Sequence, residues 1–525
     1  MDQPKRTFLN YSLKNIPIPT VNEYRKRLIE KVESFVRRMR WRAFFFLRGS
    51  DRTEEPTLEE TYGFNSVKCP PQVEELKPFE EDLIQLIENI QFRHVHDVFQ
   101  SKLREDVQKI RGSTQVFVNA DKTRNLYEMP TTQYNKLLRD NVTKYYRAAP
   151  DSSYDEINSE AQRIATQLGL SDRMDTLAKS EAFIKLKDHK VNFEHSLPCR
   201  LINPAKSELG IISRKILSGV VEVLKTETCV NLWKNTSAVV EWFHAIKEKN
   251  RHTFFLFDIV DFYPSISEQL LGLAVNFART KTRIEDSDIE IIFHARKSLL
   301  FEGGKAWVKR EKSTFFDVSM GSHDGAEVCE VIGLFMLHKL SESLKRDSMG
   351  LYRDDGLGVL KDISGREADA TRKFITRTFQ EHGLRIMIDT NLKVANFLDV
   401  TFDLTTGKYH PYRKPNDHPV YIHKLSNHPP KIIENLPAAI SKRVSDISYD
   451  HQVFKEAAPI YEEVLSASGF QNKLRFTDSK ENAAKKRKRQ RNVIWFNPPY
   501  SKNVQTNIGR KFLHLIDKHF PKKSN

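Results

Sequence analysis

Two strand-like apolar runs carry acids where acids are costly, and this constrains the fold more than any other feature of the 525 residues. In "TFFLFDIVDFYPSIS", Asp258 interrupts Phe254 to Phe257 and Ile259-Val260, an aromatic and β-branched run that reads as a mostly buried strand. An ionised carboxylate in such a run needs a cation or several hydrogen bonds. Asp261, three residues on, faces the other side of a continuing strand and cannot share an ion with Asp258. In "LYRDDGLGV", Asp354 and Asp355 stand between Leu351-Tyr352 and Leu357, Val359-Leu360, and Asp355-Gly356 has the signature of a tight hairpin turn. Alone, that turn reads as solvated. Two acids at a hairpin tip repel each other unless a divalent ion neutralises them. Three carboxylates from two separated strands, in a basic protein, fit a two-magnesium site for phosphoryl transfer.

The basic character is chain-wide. A formal charge of +15 is spread over many Lys and Arg, which favours a polyanionic partner, nucleic acid or an anionic membrane surface, and charge alone does not choose between them. With 39% hydrophobic residues the chain can fill real cores, as several domains or one multi-lobed enzyme. No apolar run reaches the roughly 18 to 20 residues that span a bilayer, and the polar start has no signal-peptide core. The expectation is a soluble intracellular protein without membrane attachment. Cys69, Cys199, Cys229 and Cys329 are scattered without CxxC pairing, so neither a disulfide framework nor a zinc site is expected.

Texture along the chain divides it. Residues 1–165 read as a mostly helical N-terminal extension, with an acidic, proline-bearing connector near 50–80 and "TQVFVNADKTRNLYEM" as a strand-like interruption. Short Phe, Ile and Val runs mixed with amphipathic stretches between Phe183 and Val400 read as α+β. Helical and turn-rich segments follow. The chain then enters the dense basic run "KKRKRQR", whose Lys485, Lys486, Arg487, Lys488 and Arg489 suit nuclear import or a nucleic-acid tether.

"FDIVDFYPSI" followed about a hundred residues later by "YRDDG" resembles the catalytic palm of reverse transcriptases. The resemblance implies a right-hand polymerase: fingers over 166–250, palm over 251–400, thumb over 401–475 and a basic tail over 476–525. It makes Asp258, Asp354 and Asp355 the catalytic ligands of two Mg²⁺ ions, with Mn²⁺ able to replace them. Tyr263, five residues after Asp258, stands where an aromatic ring excludes a 2′-hydroxyl; RNA-copying RNA polymerases tend to place a second Asp there.

"FIKLKDHK" and "CRLINPAKSELG" resemble the fingers, which makes Lys187 and Arg200 triphosphate ligands, with Lys190 a competitor for the lysine role. "SMGSHDGAEVCEVIGLFMLHKL" resembles the next palm element. Gly321 and Ser322 would let the backbone approach the nucleotide, and Asp324 with Glu327 has capping-box spacing. His323-Asp324 replace the commoner Pro-Leu. Lys393 is the expected proton donor to pyrophosphate. Tyr412, Arg413, Lys414 and His423 are expected to track the minor groove of an RNA-DNA hybrid.

"VNADKTRNLYEM", "KDHK", "FLDV" and "YRKPNDHPVYIHKLSNHP" are similar to the Penelope-like retroelements, over about residues 110 to 450 and on through "WFNPPYSKNV". That implies an RNA-directed DNA polymerase of a retrotransposon, using an RNA template, a DNA primer and dNTPs, in the nucleus. No GIY-YIG endonuclease signature is present. The alternatives are an RNA-dependent RNA polymerase, or a decayed or domesticated element protein that binds nucleic acid without catalysis.

Overall fold

The computed structural model describes residues 4–7, 14–48, 69–123, 125–171, 177, 179–190, 192–204, 206–310, 315–414, 419–477 and 494–521. The chain forms two compact units. One comprises Met1–Arg6, Thr114–His418 and Arg443–Ala457; the other comprises Thr7–Ser113, Pro419–Lys442 and Ala458–Asn525.

In the first unit, the strand-like interruption is a hairpin of β1 (Gln115–Asn119) and β2 (Leu126–Pro130). A second hairpin joins β3 (Phe183–Leu186) to β4 (Cys199–Ile202). Ala120 pairs with Leu186, so the turn after β1 lies against the end of β3. Val118, Tyr127, Met129, Ile184 and Leu186 fill a shared core. Residues 114 onward therefore belong to the same unit as the β3–β4 hairpin, and the boundary between units falls near 113, inside the expected extension of 1–165.

The second sheet has five strands: β5 (Asn231–Leu232), β6 (His252–Ile259), β7 (Met349–Tyr352), β8 (Asp355–Lys361) and β9 (Ile386–Leu392), in the order β9-β6-β8-β7-β5. Alternation in β6 sorts its side chains onto two faces. Phe255, Phe257 and Ile259 enter a core with the helices Glu208–Thr228, Glu268–Arg279, Gly325–Leu340 and Gly365–Glu381. Phe254, on the other face, packs with Phe243, Leu357, Val359, Phe397 and Phe402. That cover stops short of Asp258, which is half-buried at the open end of the same face. The α+β class expected from the sequence is what the structure has, with one sheet packed on helices.

The helix Gly325–Leu340 is buried on nearly every side rather than along one stripe. A Cβ at Gly333 would meet Leu351 at 2.8 Å, so the glycine lets this helix lie against β7.

In the second unit, the helix Val21–Arg48 buries Tyr24, Leu28, Val32 and Phe35, at helical spacing, against Phe79 and Leu83 of Lys77–Glu88 and Phe512 of Ile508–His519. Phe35 meets Phe79 and Phe512 edge-on, with centroids 6.5 and 5.2 Å apart. The two ends of the sequence thus share one core. Residues 494–521 are a folded part of this unit rather than a tail, and the expected thumb, 401–475, is divided between the units. Lys485, Lys486, Arg487, Lys488 and Arg489, and most of the acidic connector, lie outside the described residues. Among the described residues no helix is long and apolar enough to cross a membrane.

Candidate active site

Ladder register assembles the acids. β8 runs antiparallel to β6 with Asp355 directly opposite Asp258, and β9 flanks β6 with Met387 opposite Asp258. Tyr352 of β7 pairs with Asp355. Directly paired residues share a face with Cβ atoms about 5 Å apart, so Met387, Asp258, Asp355 and Tyr352 form one row across four strands. Asp354 is on the adjoining turn, and its carbonyl accepts from the Ile259 backbone N–H at 2.9 Å.

The turn differs from the expected Asp-Gly hairpin. Its two turn residues are Arg353 and Asp354, and the positive φ, 59°, belongs to Arg353. Arg353 is held by Glu330, 3.1 Å away, on the buried helix. Asp355 and Gly356 are already in the strand. Gly356 answers to packing: a Cβ there would lie 2.1 Å from the Phe257 ring. Asp261 leaves the strand at φ 49° and lines a neighbouring cleft.

Burial and mutual repulsion make the ionised form of these acids costly. Asp355 is pushed up to about 6, by burial first and then by Asp354 and Asp258. Asp258 is raised by burial and then by Asp354, while Lys122 and Lys190 pull it down. The donors are carboxylate oxygens, the set that Mg²⁺ prefers. Among the described residues no three His, Cys, Asp or Glu side chains form a preset metal cage. What is built is an aligned pair of acids with the third on the adjoining turn.

A pH dependence follows. Without divalent ion, the folded chain holds a proton on Asp355 that the unfolded chain releases near its ordinary 3.8. Between about pH 4 and 6 this group's contribution to stability therefore falls as pH rises. A divalent ion competes with that proton, so the rise in melting temperature caused by Mg²⁺ is expected to be larger at about pH 7.5 than at about pH 5. Thermal unfolding with and without Mg²⁺ at both pH values measures this; equal shifts would contradict the assignment.

Beside the acids, a cleft is lined by Lys187, Arg200, Asp261, Tyr263, Lys309 and Asp317 among others, which brings three of the expected nucleotide contacts together. Lys187 is drawn below the usual lysine range by burial and then by Arg200. Arg200 Nε is paired with Asp121 at 3.1 Å. The Tyr263 ring forms part of the wall, and burial raises its hydroxyl, which lies beside the Cys329 thiol.

Other expected contacts fall elsewhere. Lys393, the expected proton donor, donates to the carbonyls of Asn250 and His252, at 2.8 and 2.7 Å, at the opposite end of β6 from Asp258. Gly321 packs on the backbone just after β4, where a Cβ would lie 1.9 Å from the Asn203 carbonyl oxygen. Ser322 donates to the Ser319 carbonyl at 2.9 Å. Asp324 makes no side-chain cap: its fully buried carboxylate pairs with the equally buried Arg296 and accepts from Ser213. His423 belongs to the second unit, where its ring stacks on Phe99 at 3.9 Å and its Nδ1 accepts from the Leu425 N–H; the imidazole is committed within that unit.

Tyr412 and Arg413 are half-buried in the first unit. Lys414 sits near enough to Asp355 and Asp354 to feel both, and is drawn down by its crowded surroundings and then by Lys122. Lys122 was missed as a site residue. Its only sequence signal was its place in "VNADKTRNLYEM", which carries no local sign of where the turn points.

Neither a scan of protein-family models nor a search of curated proteins finds a match. Among solved structures, the chain is similar to telomerase from Candida albicans in complex with a TWJ fragment of telomeric RNA, at 10% identity and TM-score 0.48 over 75% of this chain and 74% of that one. It is also similar to apo telomerase from Candida tropicalis, at 10% identity and TM-score 0.44 over 86% and 89% of the two chains. A third is the RNA-dependent RNA polymerase of a human picorbirnavirus, at 10% identity and TM-score 0.37 over 75% and 86%. At these values no residue's role is carried over from them.

Proposed function

We propose that the chain is an RNA-directed DNA polymerase that adds dNTPs to the 3′-hydroxyl of a DNA primer on an RNA template. The observation that carries this is the ladder pair of Asp258 and Asp355, with Asp354 on the adjoining turn, beside a cleft holding Lys187, Arg200 and Tyr263. Asp258, Asp354 and Asp355 would hold two Mg²⁺ ions, which when bound activate a hydroxyl and stabilise charge on transferring phosphates. Lys187 and Arg200 bind the triphosphate, Lys187 as a point charge and Arg200 as a fork already oriented by Asp121. The Tyr263 ring stands against the sugar and selects the deoxynucleotide. Tyr412 and Arg413 contact the hybrid backbone.

The set of motifs similar to the Penelope-like elements supports a retrotransposon origin, and "KKRKRQR" supports action in the nucleus.

Incorporation of dNTPs against NTPs on a primed RNA template with Mg²⁺, with Asp354→Asn as the inactive control, tests the reading. The expected result is dNTP incorporation that the control abolishes. Incorporation of NTPs alone would replace it with an RNA-dependent RNA polymerase, and hybrid binding without synthesis would leave a non-catalytic nucleic-acid binder.

A further inference from the structure

The turn between β1 and β2 is fastened to the fingers hairpin by a buried polar clasp that the reaction as described does not use. Asp188, 5% exposed, accepts from Thr123 Oγ1 at 2.6 and 2.8 Å, from Asn125 Nδ2 at 2.7 Å and from Tyr127 Oη at 3.0 Å. The Asp121 N–H donates to the Leu186 carbonyl at 2.8 Å, and the Asp121 carboxylate holds Arg200 Nε. A buried carboxylate with several short donors is a rigid joint. It joins "NADKTRNLY" to "KDHK", two motifs far apart in sequence.

Lys122 stands at the centre of this joint, between Asp121 and Thr123, with an exposed side chain. Its charge bears on Asp258 and Asp355, and it crowds Lys414 and His189. Lys187, Lys190 and Arg200 come from the hairpin to which the turn is clasped. Bringing this many cations together is unfavourable by Coulomb repulsion unless an anion lies among them. The three acids offset part of that charge, and divalent ions at the acids would cancel the offset.

We propose that Lys122 is a phosphate-binding residue of this site, contacting the terminal phosphates of the nucleotide and the pyrophosphate it becomes, and that Asp188 positions it. The assignment rests on the polymerase reading for the identity of the ligand, but not for the presence of a polyphosphate site. It gives the upstream motif a function: the β1–β2 turn supplies one cation directly through Lys122 and orients a second, Arg200, through Asp121.

The test uses the full-length chain with inorganic pyrophosphate and Mg²⁺ as the calorimetric probe, alongside dNTP kinetics. Lys122→Gln, an exposed substitution, is expected to weaken pyrophosphate binding about tenfold, ~1.4 kcal/mol. It should raise the KM for dNTP by a similar factor, with kcat little changed. Lys122→Arg should restore most of the loss, because it keeps the charge. Thr123→Val removes one clasp donor at nearly constant volume; it should weaken pyrophosphate binding in the wild-type background and by less in the Lys122→Gln background, where only the orientation of Arg200 is left to lose. A Lys122→Gln chain that binds pyrophosphate and dNTP as tightly as wild type overturns the assignment, and leaves the polymerase reading intact if synthesis continues. A wild-type chain that binds pyrophosphate in a Lys122-dependent way but synthesises nothing overturns the polymerase reading and keeps the phosphate site.

Discussion

Asp258→Asn and Asp355→Asn are each expected to reduce dNTP incorporation by about 10³-fold or more, equivalent to ~4 kcal/mol of barrier. The two residues are ladder partners on one face, so either substitution removes half of the aligned pair. Asparagine keeps the shape and can still hydrogen bond, but it contributes no charge to holding a divalent ion. Stability should move the other way. In the absence of divalent ion, Asp355→Asn removes a carboxylate that burial and two neighbouring acids push up to about 6. The melting transition of the variant at neutral pH should therefore rise, by an amount on the order of 2 kcal/mol in stability. Primer extension and thermal melting on the same preparation measure both. A variant that loses activity while melting earlier would show damage to the fold rather than removal of a ligand.

The second large effect concerns stability. Arg296 and Asp324 are both fully buried and paired, and Ser213 donates to the carboxylate. Two further nitrogens of Arg296, Nε and Nη1, are buried with no hydrogen-bond partner among the described residues. Removing one partner leaves an uncompensated charge in a low-dielectric interior, so Arg296→Met or Asp324→Leu alone should destabilise the first unit by about 3–5 kcal/mol. The double substitution should recover most of that, because apolar groups of similar volume replace a desolvated pair without leaving a charge behind. Denaturant unfolding of the two single variants and the double variant reads this directly. Additive losses in the double variant would mean that the two side chains act independently. The pair also locates the departure from Pro-Leu after Gly-Ser: Asp324 stands there as the partner of a buried arginine 28 positions earlier, rather than as a helix cap.

Asp258, Asp354 and Asp355 were legible because an acid inside an apolar run is locally anomalous. Lys187, Arg200 and Tyr263 were legible through motif resemblance, and the structure gathers them in one cleft. Lys393 was misplaced because the end of a strand on which a lysine falls depends on pairing direction. Leu392 sits opposite Phe254, so the next residue lies at the start of β6. Gly356 was assigned to the turn because Asp-Gly is a local signal, whereas the Phe257 ring that excludes any Cβ is a neighbour only after β6 and β8 pair. Likewise the partition into units could not be read from texture, because the aromatic core of the second unit joins Phe35 and Phe79 to Phe512, which stands hundreds of residues further along the chain.

By itself, the sequence determined what is set by local composition and period: an α+β chain, a net basic charge, and two apolar strands that carry acids at a cost in burial. Tertiary structure alone decided register, and register decided which side chains stand together. It put Asp355 rather than another residue opposite Asp258, buried Asp324 against Arg296, and brought the β1–β2 turn with Lys122 to the β3–β4 hairpin through Asp188. Such pairings arise from contacts between residues tens of positions apart, and their geometry is fixed only when the intervening chain has folded.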